Sequence, residues 1–259
     1  LEQDFQNKGV IMEFKDAKKR VEELTKLIRY HNERYYNEDS PEITDFEYDM
    51  LGRELRSLEE QFPELISADS PTQKVGGAAA RLFTPVKHTV KMESLLDAFS
   101  YDELHAFDKR VIDAVGAAIY SVEPKIDGLS VSLEYSGGQL VRGSTRGDGE
   151  TGEDVTANLL TIKSIPKTID FSGELEVRGE VYMPKEVFSR LNAAREEAGL
   201  ARFANPRNAA AGALRQKNAA VTASRKLDIF CFNLQQAEGL TFDSHIQSLE
   251  EMRKKGLYK

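Results

Sequence analysis

The sequence predicts an α+β fold in which a small N-terminal helical hairpin precedes an antiparallel-sheet core with helices on its outside. Three observations predict it. Apolar residues recur at helical spacing across residues 14–58. Between residues 119 and 181 the pattern changes to short alternating runs bounded by glycine turns. The helical stretches that follow lack the strand–helix–strand rhythm of a parallel sheet.

The elements follow in order. Residues 1–13 show no periodicity and are set apart as an extension, native or appended. From Phe14 to about Tyr36 a helix carries Val21, Leu24, Leu27 and Ile28 on one side, and Ser40-Pro41 breaks it. Thr44 reads as the N-cap of a second helix, with Glu47 completing a capping box. That helix carries Phe46, Met50, Leu51, Leu55 and Leu58 and ends before Pro63, so residues 14–66 form a helical domain. Residues 67–90, rich in Ser, Pro, Gly and Ala up to Ala80, form a linker to a core at 91–259. In the core, MESLLDAF is a turn before an amphipathic helix over Tyr101–Val115. Ile119–Ile126, Leu129–Tyr135, Gln139–Thr145 and Leu175–Val181 read as strands, with turns at Asp127-Gly128 and Ser136-Gly137-Gly138. Helices over Lys185–Ala198 and Pro206–Leu214, a strand over Leu227–Leu234 and a helix over Ser244–Lys255 complete the chain.

Composition sets outer bounds. With 40% hydrophobic and 30% charged residues, the chain of 259 belongs to the ordinary soluble class. No apolar run reaches membrane-spanning length and no secretory signal opens the sequence, so a cytoplasmic protein is expected. The lone Cys231 excludes an intrachain disulfide framework and a cysteine-rich zinc site. A net charge of −8 argues against a binder that meets nucleic acid over its whole surface. The charge is uneven, however. Residues 201–227 hold no Asp or Glu but carry Arg202, Arg207, Arg215, Lys217, Arg225 and Lys226. This stretch is either a solvated positive face or a surface that meets phosphates.

Some residues carry chemistry. Tyr35 and Tyr36 close the first helix, and Asp45, Tyr48 and Asp49 open the second. Such tyrosines either cover a core edge or, facing two carboxylates, seat a flat cationic ring such as oxidised nicotinamide. Gly147 to Gly152 satisfies the G-x-G-x-x-G pattern, but Asp148 and Glu150 would place negative charge in a phosphate cradle. The preceding strand, with Arg142, Ser144, Thr145 and Arg146, is also too polar for a buried parallel one. The motif is a decoy. EPKIDG places Lys125 before the Asp127-Gly128 turn. A lysine amine attacks phosphorus only when unprotonated, which calls for burial or neighbouring cations. Taken alone, Lys125 is as readily a structural lysine beside a turn.

Its companions decide. EPKIDG, STRGDG (144–149), EVRGE (176–180) and FANPRNAAAG (203–212) follow in order, and RYYNEDSPEITDFEYDML precedes them. Together they resemble the nucleotidyltransferase core and the small helical domain of bacterial NAD-dependent DNA ligases, over essentially residues 15–259. The resemblance implies an ATP-grasp-like ligase core and assigns the nucleophile to Lys125. This residue would attack the adenylyl phosphorus of NAD, expel nicotinamide mononucleotide (NMN) and carry AMP to the 5′-phosphate of a DNA nick. It also implies Asp127 in the lysine turn, Glu123 beside adenine, and Ser94 and Leu95 beside the adenosine. Arg146 would lie near the ribose and phosphates, Glu180 near the ribose, and Arg207 at a helix start on a phosphate. Tyr35, Tyr36, Asp45, Tyr48 and Asp49 would form the NMN site, which separates NAD from ATP. A divalent ion, Mg²⁺ or Mn²⁺, is implied as well, and no acidic cluster marks its ligands. Nicked double-stranded DNA is the implied partner, and a monomer is expected.

The family pattern continues beyond Lys259, with further phosphate-side lysines, an OB-fold, a zinc module, helix-hairpin-helix repeats and a BRCT module. The chain therefore reads as a C-terminally incomplete piece. Nick sealing by it alone is not expected, and self-adenylation is expected to be impaired. Two other classes share part of the pattern. ATP-dependent ligases and RNA-capping enzymes share the Lys-x-Asp-Gly logic but not the Tyr35–Asp49 hairpin, and a non-enzymatic nucleotide-binding module would show no covalent uptake of AMP.

Overall fold

The computed structural model describes residues 13–34, 42–67, 69–72, 83–95 and 97–258, with residue 45 described in its backbone only. Tyr35 and Tyr36 lie outside the described residues, as does the Asp45 side chain. The chain divides into two compact units, residues 1–77 and 78–259.

The first unit is a helical hairpin. Helix α1 (Phe14–Asn32) pairs with α2 (Asp45–Gln61) along a narrow seam of Ala17, Val21, Leu24, Ile28, Leu55 and Leu58. The α1 seam residues repeat every three to four positions, which keeps one stripe turned inward. Each of the larger ones stabilises by roughly 1.5–3 kcal/mol on burial. Leu27, Phe46 and Met50, expected in the apolar set, are exposed because they fall off this stripe. The expected cap is present: Thr44 accepts from Glu47 N, and the Glu47 carboxylate accepts from Thr44 N at 2.8 Å. Arg20 holds Glu54 through two hydrogen bonds of 2.6 and 2.8 Å across the hairpin.

The second unit is built on a four-stranded antiparallel sheet. Strands β2 (Leu129–Ser136), β3 (Gln139–Thr145), β5 (Glu174–Tyr182) and β6 (Asp228–Ala237) lie in the order β3-β2-β5-β6. Gly137 and Gly138, both with positive φ, turn β2 into β3, which is what a two-residue hairpin turn demands. A second ladder pairs β1 (Pro85–Lys87) with β4 (Thr151–Glu153). The main sheet is two-faced. Val131, Leu133, Tyr135, Leu175, Val177 and Val181 point into the core, joined by Ile229 and Cys231 of β6. Between them in sequence, Ser130, Ser132, Glu176, Arg178 and Glu180 occupy the other face, as strand alternation requires.

Helices cover the apolar face and the ends. The short α4 (Thr156–Leu159) buries Leu159, and α6 (Pro206–Leu214) buries Ala209, Ala210, Ala213 and Leu214. The strip of small residues lets α6 approach the strands closely. Helix α8 (His245–Lys254) buries Leu249 and Met252, while α5 (Lys185–Glu197) and α7 (Ala219–Ser224) lie further out. Helix α3 (Tyr101–Val115) buries none of its residues.

The strand expected at Ile119–Ile126 is absent. Residues 117–127 enter no strand or bridge, and Ile119 and Val122 are almost fully exposed. Alternation alone does not make a strand: β6 pairs on one side only, and residues 117–127 form no ladder on it. Among the described residues, no helix is long and apolar enough to cross a membrane.

Candidate active site

Lys125, Asp127, Arg146, Glu180 and Arg207 meet at the end of the sheet where β2 begins, whereas Glu123 turns to His245. Register sets the row: Ser130 of β2 lies opposite Glu180 of β5, which lies opposite Phe230 of β6. Arg146, just past β3, joins the row by donating its backbone N–H to the Ser130 carbonyl at 3.0 Å. Gly128 sits immediately before β2, and the approach there is close. A Cβ on Gly128 would lie 2.2 Å from the Val181 carbonyl oxygen and 3.2 Å from Glu180 Cγ. The glycine of the lysine turn is thus required by proximity to β5, not by a positive φ.

Glu180 is the electrostatic centre of this group. Burial, the largest influence, raises its carboxyl above the usual range. Arg207, Arg146 and Lys125, in that order, pull it back down, and Asp127 pushes it up. All four lie near enough for their charges to act on one carboxylate, although Arg207 lies 82 positions after Lys125 in sequence. Lys125 and Asp127 themselves are exposed.

Arg207 reaches the group from the start of α6. Asn205 caps that helix by accepting from Asn208 N at 2.8 Å, and Pro206 opens it without wasting a donor. The arrangement leaves Arg207 in the first turn, where its side chain donates to Asp127 Oδ1 at 2.9 Å. A guanidinium at the positive end of the helix dipole favours an anion there.

The decoy glycines build a turn. Asp148 Oδ1 accepts from Glu150 N and Thr151 N at 2.9 and 2.7 Å, so the backbone donors of this loop are engaged between β3 and β4. The loop also anchors the MESLLDAF segment. His88 N donates to Glu150 O and Met92 N to Gly149 O, each at 2.9 Å, and Met92 is fully buried. Arg178 donates to Glu93 O at 3.2 Å. Ser94 and Leu95 follow directly and stand exposed, Leu95 at 73%.

Several neighbours were not foreseen. Arg178 stacks on Phe232 at 5.8 Å and lies near enough to Arg146 for the two cations to repel. Its position inside EVRGE, alternating with Gly179, was the available signal. Buried Glu153 accepts from Arg215 Nε at 3.0 Å while its own N–H donates to Thr145 Oγ1 at 3.0 Å, tying the Arg146 loop to the end of α6. Glu123 lies 2.8 Å from His245 Nε2. Nothing in local sequence announces either long-range pair.

In the helical unit, Tyr48 and Asp49 are half-buried neighbours on the second turn of α2, and Tyr48 donates to Asn32 Oδ1 at 2.6 Å. Among the described residues, no three His, Cys, Asp or Glu side chains gather as metal ligands.

The sequence matches two family models and a set of relatives. The model of the NAD-dependent DNA ligase adenylation domain matches residues 80–259, and that of the DNA ligase-like, N-terminal NAD+-binding domain matches residues 14–76. A protein named DNA ligase from Thermoanaerobacter pseudethanolicus is 56% identical over 241 residues, which is 93% of this chain and 36% of the relative. One from Acetivibrio thermocellus is 54% identical over 243 residues, 93% of this chain and 37% of the relative. One from Pseudomonas putida is 51% identical over 247 residues, 93% of this chain and 32% of the relative. The chain spans about a third of the length of the curated relatives it matches. Its second unit carries the lysine turn and the Glu180 cluster inside the longer match, and the capped hairpin lies inside the shorter one. The chain belongs to the NAD-dependent DNA ligase family, as an adenylation domain preceded by the NAD+-binding helical domain.

Proposed function

We propose that this chain takes AMP from NAD onto Lys125. The observation that carries the reading is the convergence of Lys125, Arg146, Arg207 and Asp127 on Glu180. The Lys125 amine, having lost a proton, forms the N–P bond to the adenylyl phosphorus. The P–O bond to the phosphate of NMN breaks, and NMN leaves with that oxygen. There is little covalent work for the protein beyond this, so positioning and charge supply most of the acceleration. Arg207 and the first turn of α6 oppose the phosphate charge, Arg146 stands between phosphate and ribose, and Glu180 accepts from the ribose. Ser94 and Leu95 line the adenosine. Tyr35, Tyr36, Asp45, Tyr48 and Asp49 hold the NMN half, and the helical unit thereby selects NAD over ATP.

In a protein of the relatives' full length, AMP would pass to the 5′-phosphate of a nicked duplex and the 3′-hydroxyl would displace it. Mg²⁺ or Mn²⁺ would accompany the phosphates. Arg202, Arg207 and Arg215 of the acid-free stretch already face Glu196, Asp127 and Glu153. This leaves Lys217, Arg225 and Lys226 as the basic residues offered to a DNA backbone. The protein would work as a cytoplasmic monomer.

Intact mass tests the reading. Incubation with NAD should add the mass of AMP, incubation with ATP should not, and Lys125→Ala should abolish the gain. A folded chain that gains no mass from NAD, or gains it equally in Lys125→Ala, refutes it.

A further inference from the structure

Glu123 is anchored through one oxygen. Its Oε1 accepts from Ser121 Oγ at 2.9 Å and lies 2.8 Å from His245 Nε2. Its Oε2 has no partner among the described residues. His245 is the first residue of α8, a helix fixed by buried Leu249 and Met252 and capped by Ser244, which accepts from Gln247 N. The imidazole is therefore mounted on the core, whereas the segment it grips, residues 117–127, has no ladder to hold it.

Two bonds at one oxygen restrict the carboxylate and leave its other oxygen as the acceptor on offer. Lys125 lies two residues on, and on the adenylyl-transfer reading the nucleotide it attacks is what Glu123 Oε2 is offered to. The ribose hydroxyls fall to Glu180, at the centre of the Arg146–Arg207 group. What remains on the AMP half with a hydrogen to donate is the exocyclic amine of the base. We propose that His245 is a positioning residue: by fixing Glu123, it aims one carboxylate oxygen at that amine and sets the base selectivity of nucleotide uptake. This inference rests on the adenylyl-transfer reading above. The ring donates from Nε2, and an amide side chain of similar reach can replace that donor.

The test compares uptake from NAD and from nicotinamide hypoxanthine dinucleotide, in which a carbonyl oxygen replaces the amine. Both are followed by intact mass over time and over dinucleotide concentration, on the chain as it stands. The unsubstituted chain should favour NAD. His245→Ala should lower that preference at least tenfold, chiefly through a higher half-saturating NAD concentration, and His245→Gln should restore most of it. Glu123→Gln should reverse the preference, because an amide can donate to the carbonyl, and this variant serves where His245→Ala does not fold. A His245→Ala protein that folds and keeps the original ratio overturns the proposal. So does an unsubstituted chain that takes up both nucleotides equally, which leaves adenylyl transfer standing. No uptake from either dinucleotide overturns adenylyl transfer itself, and the role of His245 with it.

Discussion

Gly128 and Glu180 are so close that no other residue fits the first position without moving the second. The Cβ of an alanine at 128 would meet the Val181 carbonyl oxygen at 2.2 Å and Glu180 Cγ at 3.2 Å. A backbone carbonyl in a paired strand cannot retreat as a flexible side-chain end can. Gly128→Ala should destabilise the second unit by about 2 kcal/mol, the usual scale of overpacking. It should also slow AMP uptake more than this loss explains. Chemical denaturation beside intact-mass kinetics measures both, and an unchanged midpoint would contradict the close approach.

The buried carboxyl of Glu180 gives stability a pH dependence of known sign. Its folded pKa lies above the unfolded one, because burial outweighs the nearby cations. The folded chain therefore binds the extra proton more tightly, and the stability this provides is complete below the ordinary carboxylate range. It is lost as pH rises through the folded pKa. Thermal melts of the unliganded chain should show Glu180→Gln gaining on the parent as pH rises from acid towards neutral. A constant difference across that range would show the carboxyl to be unshifted.

Arg207 should matter for chemistry far more than for folding. Its 2.9 Å bond goes to an Asp127 side chain that is 59% exposed, and pairs of this kind contribute about 0–1 kcal/mol. A donor aimed at a phosphoryl group, by contrast, is worth on the order of 100-fold in rate. Arg207→Ala should melt within a degree or two of the parent while AMP uptake from NAD falls about 100-fold. Equal losses in both would reduce Arg207 to a structural role.

Glu153 should show the opposite balance. It is fully buried, and its partner Arg215 is mostly so. Removing one member of such a pair takes a buried charge partner from the other, typically at a cost of about 3 kcal/mol or more. Glu153→Ala should thus lower the unfolding free energy by that amount, and replacing both residues with apolar ones of similar volume should recover part of it. Urea denaturation of the two variants decides the matter.

The parts of this fold that were legible in the sequence are those whose cause is local. Helix α6 runs Pro206–Leu214 as expected because Asn205, Pro206 and the alanine run specify its start and its packing face. The β2–β3 hairpin follows from the Gly137-Gly138 turn. Ile119–Ile126 misled because alternation reports a strand's preference and not whether tertiary packing gives it a partner. The β1–β4 ladder was missed because three-residue strands carry no periodicity. In the site, Lys125, Asp127, Arg146, Glu180 and Arg207 could be named from their motifs and prove to be neighbours. Their supports, Glu153 with Arg215 and Glu123 with His245, span 62 and 122 residues. Pairings of that length are set by tertiary packing and leave no trace in spacing.

Because residues 117–127 enter no ladder, the lysine they carry is placed by side chains on either flank: Glu123 towards α8 and Asp127 towards α6. A nucleophile on a paired strand could be re-aimed only by bending the whole sheet. Here it is guyed like a mast, and altering either line shifts the amine while the foundation stays where it is. Reactivity and thermal resistance can therefore drift independently in this unit, so a melting curve alone is a poor guide to which variants still capture the nucleotide.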